Sequence, residues 1–271
     1  MKKALVGYQL YSAREEMARD MKGVFTRLKA MGYDGVEFAG FFGKTADEVK
    51  ALLDESGLVA VSSHVTMDQL TADPFGVISY HQKIGCKYIA IPYLNEDFRP
   101  GHPGFAHLIR QAYKLGDLCR AAGMTLLYHN HDFEFEKISG MYGLDFLYDA
   151  VDESRLQTEI DVCWVKYSGV DPAAYLRKYA GRTPVVHLKD FEGRKGEGTP
   201  YGLIGRSDEK QAGQFRFRPF GYGCQDAPGV VEAGLEGGAC WFIVEQDEWY
   251  DQNPLDDAEK SIGTLKKIGL K

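Results

Sequence analysis

The chain has 271 residues, 44% of them hydrophobic and 26% charged, an ordinary globular composition with ample apolar material for a large core. Its net charge of −7 argues against a duplex-binding protein, which needs a basic face to meet phosphates. No stretch approaches the roughly 18 apolar residues of a spanning helix, so neither a nucleic acid nor a membrane is an expected partner.

Short β runs alternate with amphipathic helices along the chain. The first strand is expected at 4–10, followed by a helix whose face carries Met17, Met21, Val24, Phe25, Leu28 and Met31 at helical spacing. Gly32, Gly57, Gly85 and Gly123 stand where helices should end, since glycine tolerates the left-handed turn there. Further strands are expected at 34–38, 58–64 and 87–92, with Thr45 and Glu48 forming a capping box between the first two. Asp73-Pro74, Asp171-Pro172 and Asn253-Pro254 each place a capping residue before a proline at a helix start. The helix bearing Phe105, Leu108, Ile109, Ala112, Leu115 and Leu118 leads to strands at 124–130, 157–161, 184–188 and 241–245. Many strands are apolar through the middle, as parallel strands covered by helices are.

Eight such units, with no GxGxxG after the first strand, predict one (β/α)8 barrel over residues 1–271. One connection is anomalous. Residues 191–224 are rich in glycine, charge and aromatics, and a loop that long is usually a lid or binding element. Gly193, Gly196 and Gly198 would hinge it, while Arg216, Arg218 and Phe220 would reach a substrate or a neighbouring subunit. Cys86, Cys119, Cys163, Cys224 and Cys240 lie far apart without a CxxC pair, which reads as reduced thiols in a cytoplasmic protein. The apolar run after Met1-Lys2-Lys3 stops at Gln9, too short for a secretion signal.

Barrel active sites are built at the carboxyl ends of the strands. In order, these ends carry Gln9, Glu37, His64, Pro92-Tyr93, His129, Asp161, His187 and Glu245. His129, Asp161, His187 and Glu245 come from four consecutive strands and should share a centre. That nitrogen and oxygen mixture suits Mn²⁺, Co²⁺, Zn²⁺ or Fe²⁺ better than Mg²⁺. A single histidine at a strand end is more often a hydrogen-bonded core residue, and Asp161 alone could be a helix cap; four together favour a ligand set. Around them, Lys189, Asp190, Gln246 and Asp247 are placed to orient ligands. His131 and Glu134 stand out within the ionisable segment 128–135, and Tyr93 and Trp164 could stack on a sugar face. Gly221-Tyr222-Gly223 is a lone GxG and poor evidence for phosphate; His81, His102 and His107 receive no role.

The segments Tyr128-His129-Asn130-His131-Asp132-Phe133-Glu134-Phe135, Val186-His187-Leu188-Lys189-Asp190 and Val244-Glu245-Gln246-Asp247, with Asp161 and Asn253-Pro254-Leu255, resemble the xylose-isomerase-like barrel superfamily. That group includes endonuclease IV, ketose 3-epimerases, inosose isomerases and inosose dehydratases. The resemblance implies one divalent metal held by Glu, Asp, His and Glu from the fifth to eighth strands. Asp161, His187 and Glu245 match the last three, but His129 stands where the epimerases carry glutamate. Either His129 ligates, or Glu134 reaches in from its loop, or fewer groups hold the ion. The implied substrate is a small sugar, keto-sugar or cyclitol. The implied reaction is isomerisation or epimerisation through a metal-stabilised enediolate, with inosose or keto-sugar dehydration through the same intermediate as the alternative. Glu245 is the expected base, His131 or Glu134 the proton donor on the other face, and Gln9, Glu37, His64 and Lys189 the groups that hold hydroxyls. A nuclease is disfavoured by the acidic charge; a non-catalytic sugar-binding barrel and a homo-oligomer stay open.

Overall fold

Each apolar strand run can satisfy its backbone only by pairing with neighbours on both sides, and closure removes every edge. The computed structural model describes residues 4–193, 215–250 and 253–271, and in it eight parallel strands close into a barrel. They are β1 (Leu5–Gln9), β2 (Gly35–Phe38), β3 (Val59–His64), β4 (Tyr88–Ile91), β5 (Thr125–His129), β6 (Gln157–Asp161), β7 (Val185–Leu188) and β8 (Trp241–Val244). β1 closes on β8 with Leu5 opposite Trp241 and Tyr8 opposite Val244. All eight lie within the expected runs, and a helical layer surrounds them: the (β/α)8 barrel.

The caps fall where the residues demand them. Thr45 and Glu48 form the reciprocal capping box, and Asp73, Asp171 and Asn253 each accept a backbone N–H at the start of a proline-led helix. Gly32 and Gly57 end their helices with φ of 106° and 68°. One helix per strand is too simple, however. Two helices follow β3 (Met67–Ala72 and Pro74–Lys83) and two follow β6 (Val162–Tyr167 and Pro172–Lys178), because Asp73-Pro74 and Asp171-Pro172 each start a helix afresh. The helix over Arg14–Met31 also breaks at Asp20, whose φ of −153° is extended and whose carboxylate accepts from Gly23 N.

Below the mouth, Val61, Ala90, Leu127, Val185, Trp241 and Ile243 fill the barrel; the larger apolar core lies between strands and helices. The register between β2 and β3 shifts at Val36/Glu37, a bulge beside a residue central to the site. All five cysteines are free, with Cys86, Cys119 and Cys163 buried and Cys224 and Cys240 exposed. No helix among the described residues is long and apolar enough to cross a membrane.

The long connection begins and ends as a two-stranded antiparallel hairpin, Asp190–Gly193 with Phe215–Arg218. Gly196 and Gly198 lie outside the described residues. Phe191, Phe215 and Phe217 pack with Cys163, Trp164 and Tyr167. Contrary to expectation, Arg218 pairs with Glu192 and Phe220 is buried at 1% exposure. Asp190 accepts backbone N–H groups from Phe191, Gly221, Gly223 and Gln225. A Cβ on Gly223 would lie 2.3 Å from Asp190 Oδ1, so the Gly221-Tyr222-Gly223 turn wraps a carboxylate of its own chain.

Candidate active site

Polar side chains at the barrel mouth fall into two tiers, an upper one from residues at or just beyond the ends of β6, β7 and β8 and a deeper one from β1, β2, β3 and β6. The upper tier holds Asp161, Glu245, Asp247 and Lys189. Asp161 is fixed from two sides. Asn130 accepts from Asp161 N at 3.0 Å and donates to Asp161 O, while Asp161 Oδ1 caps the next helix by accepting from Cys163 N and Trp164 N. Its Oδ2 faces His129 Nε2 at 3.7 Å. Lys189 is buried, and its Nζ lies 3.1 Å from Asp161 Oδ2, 2.8 Å from Glu245 Oε2 and 3.0 Å from Asp247 Oδ2.

The deeper tier holds Gln9, Glu37, Ser62, His64 and Glu159. Glu37 accepts from Gln9 Nε2 at 2.5 Å and from Ser62 Oγ. His64 Nε2 lies 3.0 Å from Glu37 Oε1 and 2.8 Å from Glu159 Oε2. His187 spans both tiers: Nδ1 is 2.9 Å from Glu245 Oε2 and Nε2 is 2.7 Å from Glu37 Oε1.

Burial and neighbouring charge set the protonation pattern. Burial alone would raise Glu37, but the imidazoles of His64 and His187 outweigh it and hold the carboxyl well below its usual range. Glu159, buried and facing Glu37, is pushed up to about 7. Against burial, Glu37 and Glu159 raise His64 to about 10. Lys189 goes well above its ordinary value because Asp161, Asp247 and Glu245 overcome desolvation. Burial lowers His129 and His131 well below the usual imidazole value, reinforced by His187 for the first and Lys189 for the second.

Over these tiers opens a cavity of about 470 Å³ whose lining includes Tyr11, His64, Thr66, Gln69, Tyr93, Asn95, His129, His131, Lys189, Glu245 and Asp247. Of the expected substrate contacts, His64 and Tyr93 are therefore on the wall. Gln9 and Glu37 are fully buried beneath it, bonded to each other. Trp164 is also fully buried; it stacks on His131 at 5.4 Å and on Phe215 at 6.0 Å, backing the wall rather than forming it. Among the described residues of 191–224, none lines the cavity, since its aromatics face the Trp164 cluster.

Of the two proton donors considered, His131 lines the cavity and Glu134 does not. Both carboxylate oxygens of Glu134 are taken, by Tyr128 OH at 2.6 Å and His131 N at 2.8 Å. It is thus a brace for the turn after β5, and His129 rather than Glu134 stands with Asp161, His187 and Glu245. Glu159 went unread as a site group in the sequence, whereas Asp247, read there as an orienting carboxylate, lies 3.0 Å from Lys189 Nζ. Glu159 had a signal: an acidic residue inside a strand, two positions before Asp161 and so on the same inward face.

Donor atoms of His129, Asp161, His187 and Glu245 all lie within 4.8 Å of one another. Asp161 Oδ2, fully buried, has the Lys189 ammonium at 3.1 Å and His129 Nε2 at 3.7 Å beside it. Two imidazoles and two carboxylates whose donor atoms converge this closely fit a divalent ion. A second set, His64, His129, Glu159 and His187, meets the same distance limit one tier down.

A closed parallel barrel with polar groups converging at its carboxyl mouth defines the class of protein. Residues 25–268 match the xylose isomerase-like TIM barrel family, and the chain belongs to that family. Among solved structures, it is similar to a sugar phosphate isomerase/epimerase from Parabacteroides distasonis, with TM-score 0.76 and 21% identity over 100% of this chain and 96% of that one. A D-allulose 3-epimerase from Methylomonas sp. superposes with TM-score 0.71 at 14% identity, covering 99% of both chains. The IolI protein with a bound zinc atom gives TM-score 0.72 at 12% identity, covering 97% of each. No curated protein matches the sequence.

Proposed function

We propose that this barrel is a divalent-metal-dependent isomerase or epimerase of a small sugar, keto-sugar or cyclitol, acting by proton transfer beside a carbonyl. The observation that carries the proposal is the meeting of His129, Asp161, His187 and Glu245, from four consecutive strands, at a cavity of about 470 Å³. The zinc of the IolI protein and the epimerase activity named for the Methylomonas barrel support the same reading.

Those four residues would hold a divalent ion, which when bound would supply Lewis acidity beside a substrate carbonyl. The rest falls to the chain. Glu245 lines the cavity and takes the α-proton on its carboxylate, while Lys189 Nζ, 2.8 Å away, fixes that carboxylate in place. His131, held neutral by burial and on the wall beside Tyr93, relays to the other side a proton taken up from solvent; Glu134 does not line the cavity. His64, Gln69 and Asn95 offer polar groups to sugar hydroxyls, and the Tyr93 ring offers an apolar face. Loss of a β-hydroxyl after the same first step would give dehydration instead.

The test is metal content of the purified protein, followed by exchange of solvent deuterium into a panel of keto-sugars and inososes. Incorporation at the carbon beside the carbonyl, abolished by chelation and restored by Mn²⁺, Co²⁺ or Zn²⁺, is the expected result. Product analysis in the same reactions separates epimerisation from dehydration. A protein that retains no divalent ion and exchanges no substrate proton would leave a sugar-binding barrel.

A further inference from the structure

His129 and His187 each present one ring nitrogen to the upper tier and the other to the lower. His129 Nε2 faces Asp161, whereas its Nδ1 lies 3.4 Å from Glu159 Oε2. His187 Nδ1 faces Glu245, whereas its Nε2 lies 2.7 Å from Glu37 Oε1. Glu37 and Glu159 are fully buried and neither lines the cavity. His64 Nε2, at 3.0 and 2.8 Å, clasps the two carboxylates together. Two buried glutamates with no path to substrate call for a different role.

A neutral imidazole has one lone pair and one N–H, and whatever accepts from the N–H decides which nitrogen is left to ligate. We propose that Glu37 and Glu159 are positioning residues that select the tautomers of the two ligand histidines. Glu37 holds His187 as the Nε2–H form, leaving Nδ1 for the ion; Glu159 holds His129 as the Nδ1–H form, leaving Nε2. The two histidines therefore use opposite nitrogens, each dictated by the carboxylate below it. The inference rests on the metal site of the proposed function.

The test is zinc affinity and stoichiometry of the full chain, for the parent and for Glu37→Leu, Glu159→Leu, Glu37→Gln and Glu159→Gln. The Leu variants should bind the same number of ions about 10–100-fold more weakly, the usual loss for an outer-shell partner. The Gln variants, which keep an acceptor oxygen, should recover most of it. Should the Leu variants fail to fold, ¹⁵N correlation of the imidazoles in the zinc-loaded parent reads the tautomers directly. The expected pattern is Nε2–H at His187 and Nδ1–H at His129; the reverse pattern overturns the proposal. So does unchanged zinc affinity in both Leu variants, which leaves the metal reading intact. A loss of stoichiometry in the Glu159 variants, Gln included, would make Glu159 a ligand in the lower tier and also overturn it. A parent that binds no zinc removes both readings together.

Discussion

Lys189 Nζ lies 2.8 Å from Glu245 Oε2, the same oxygen that His187 Nδ1 approaches at 2.9 Å. One carboxylate thus ties the lysine that neutralises the upper tier to a histidine that spans both. Removing the ammonium leaves Asp161, Glu245 and Asp247 facing one another without their buried countercharge. Lys189→Met should therefore destabilise the chelated protein by about 3–5 kcal/mol, the range for one partner lost from a buried ion pair. Added divalent ion supplies positive charge to the same oxygens and should restore part of the loss. Thermal unfolding with chelator and with Mn²⁺ checks both halves; a variant as stable as the parent in chelator would show that Lys189 is not what holds the tier.

Asp161 does two jobs with two oxygens, so the informative substitution is Asp161→Asn rather than Ala. Asparagine caps helices as well as aspartate does, so the bonds to Cys163 N and Trp164 N survive while the charged Oδ2 is lost. Stability should stay within about 1 kcal/mol of the parent, because the cap survives and Lys189 keeps Glu245 and Asp247 as countercharges. Ion affinity should fall by more than the about 10–100-fold of an outer-shell loss. Equal metal content in parent and variant would remove Asp161 from the ligand set.

At His129, the residue that departs from the epimerase pattern, Glu is the expected functional replacement because carboxylate and imidazole both serve Mn²⁺ or Co²⁺. His129→Glu should keep the ion and add a carboxylate on the substrate's other face, shifting the product mixture towards epimerisation. His129→Ala should lose affinity as far as Asp161→Asn does, because Glu134 is bonded to Tyr128 and His131 and cannot swing in. Metal titration of the two variants decides it; parent-like binding by His129→Ala moves His129 out of the ligand set.

Glu134 carries a pH signature of its own. Burial pushes its carboxyl up to about 8, against the hydrogen bond from Tyr128, from an ordinary value near 4.5. Between those values the unfolded chain has released the proton while the folded chain keeps it, so this group makes stability fall as pH rises through the window. Glu134→Gln keeps an acceptor for His131 N and has no proton to lose. Its stability should thus decline less than the parent's from about pH 5 to 8. Denaturant midpoints across that range measure the difference, and parallel curves would show that Glu134 is already ionised at neutral pH.

The barrel was legible in the sequence because its signals are local. Apolar strand cores, Thr45-Glu48, the aspartate–proline and asparagine–proline starts and the terminal glycines each act within a few residues, and neighbouring signals agree. The cluster His129, Asp161, His187 and Glu245 was legible for a related reason: strand order in a closed parallel barrel maps sequence order onto position around the mouth. What only the tertiary structure decided was depth and competition. Gln9 and Glu37 sit at strand ends as His64 does, yet the bulge at Val36/Glu37 and the partners Ser62 and His187 place them under the floor. Glu134 and His131 are three residues apart in one turn, and the phenol of Tyr128 draws one into the interior while the other reaches the cavity. Asp190 looked like an orienting carboxylate until three backbone N–H groups of a distant turn, with that of Phe191, closed around it. Each outcome depends on which buried polar group finds a partner first among residues far apart in the chain, and no local pattern encodes that.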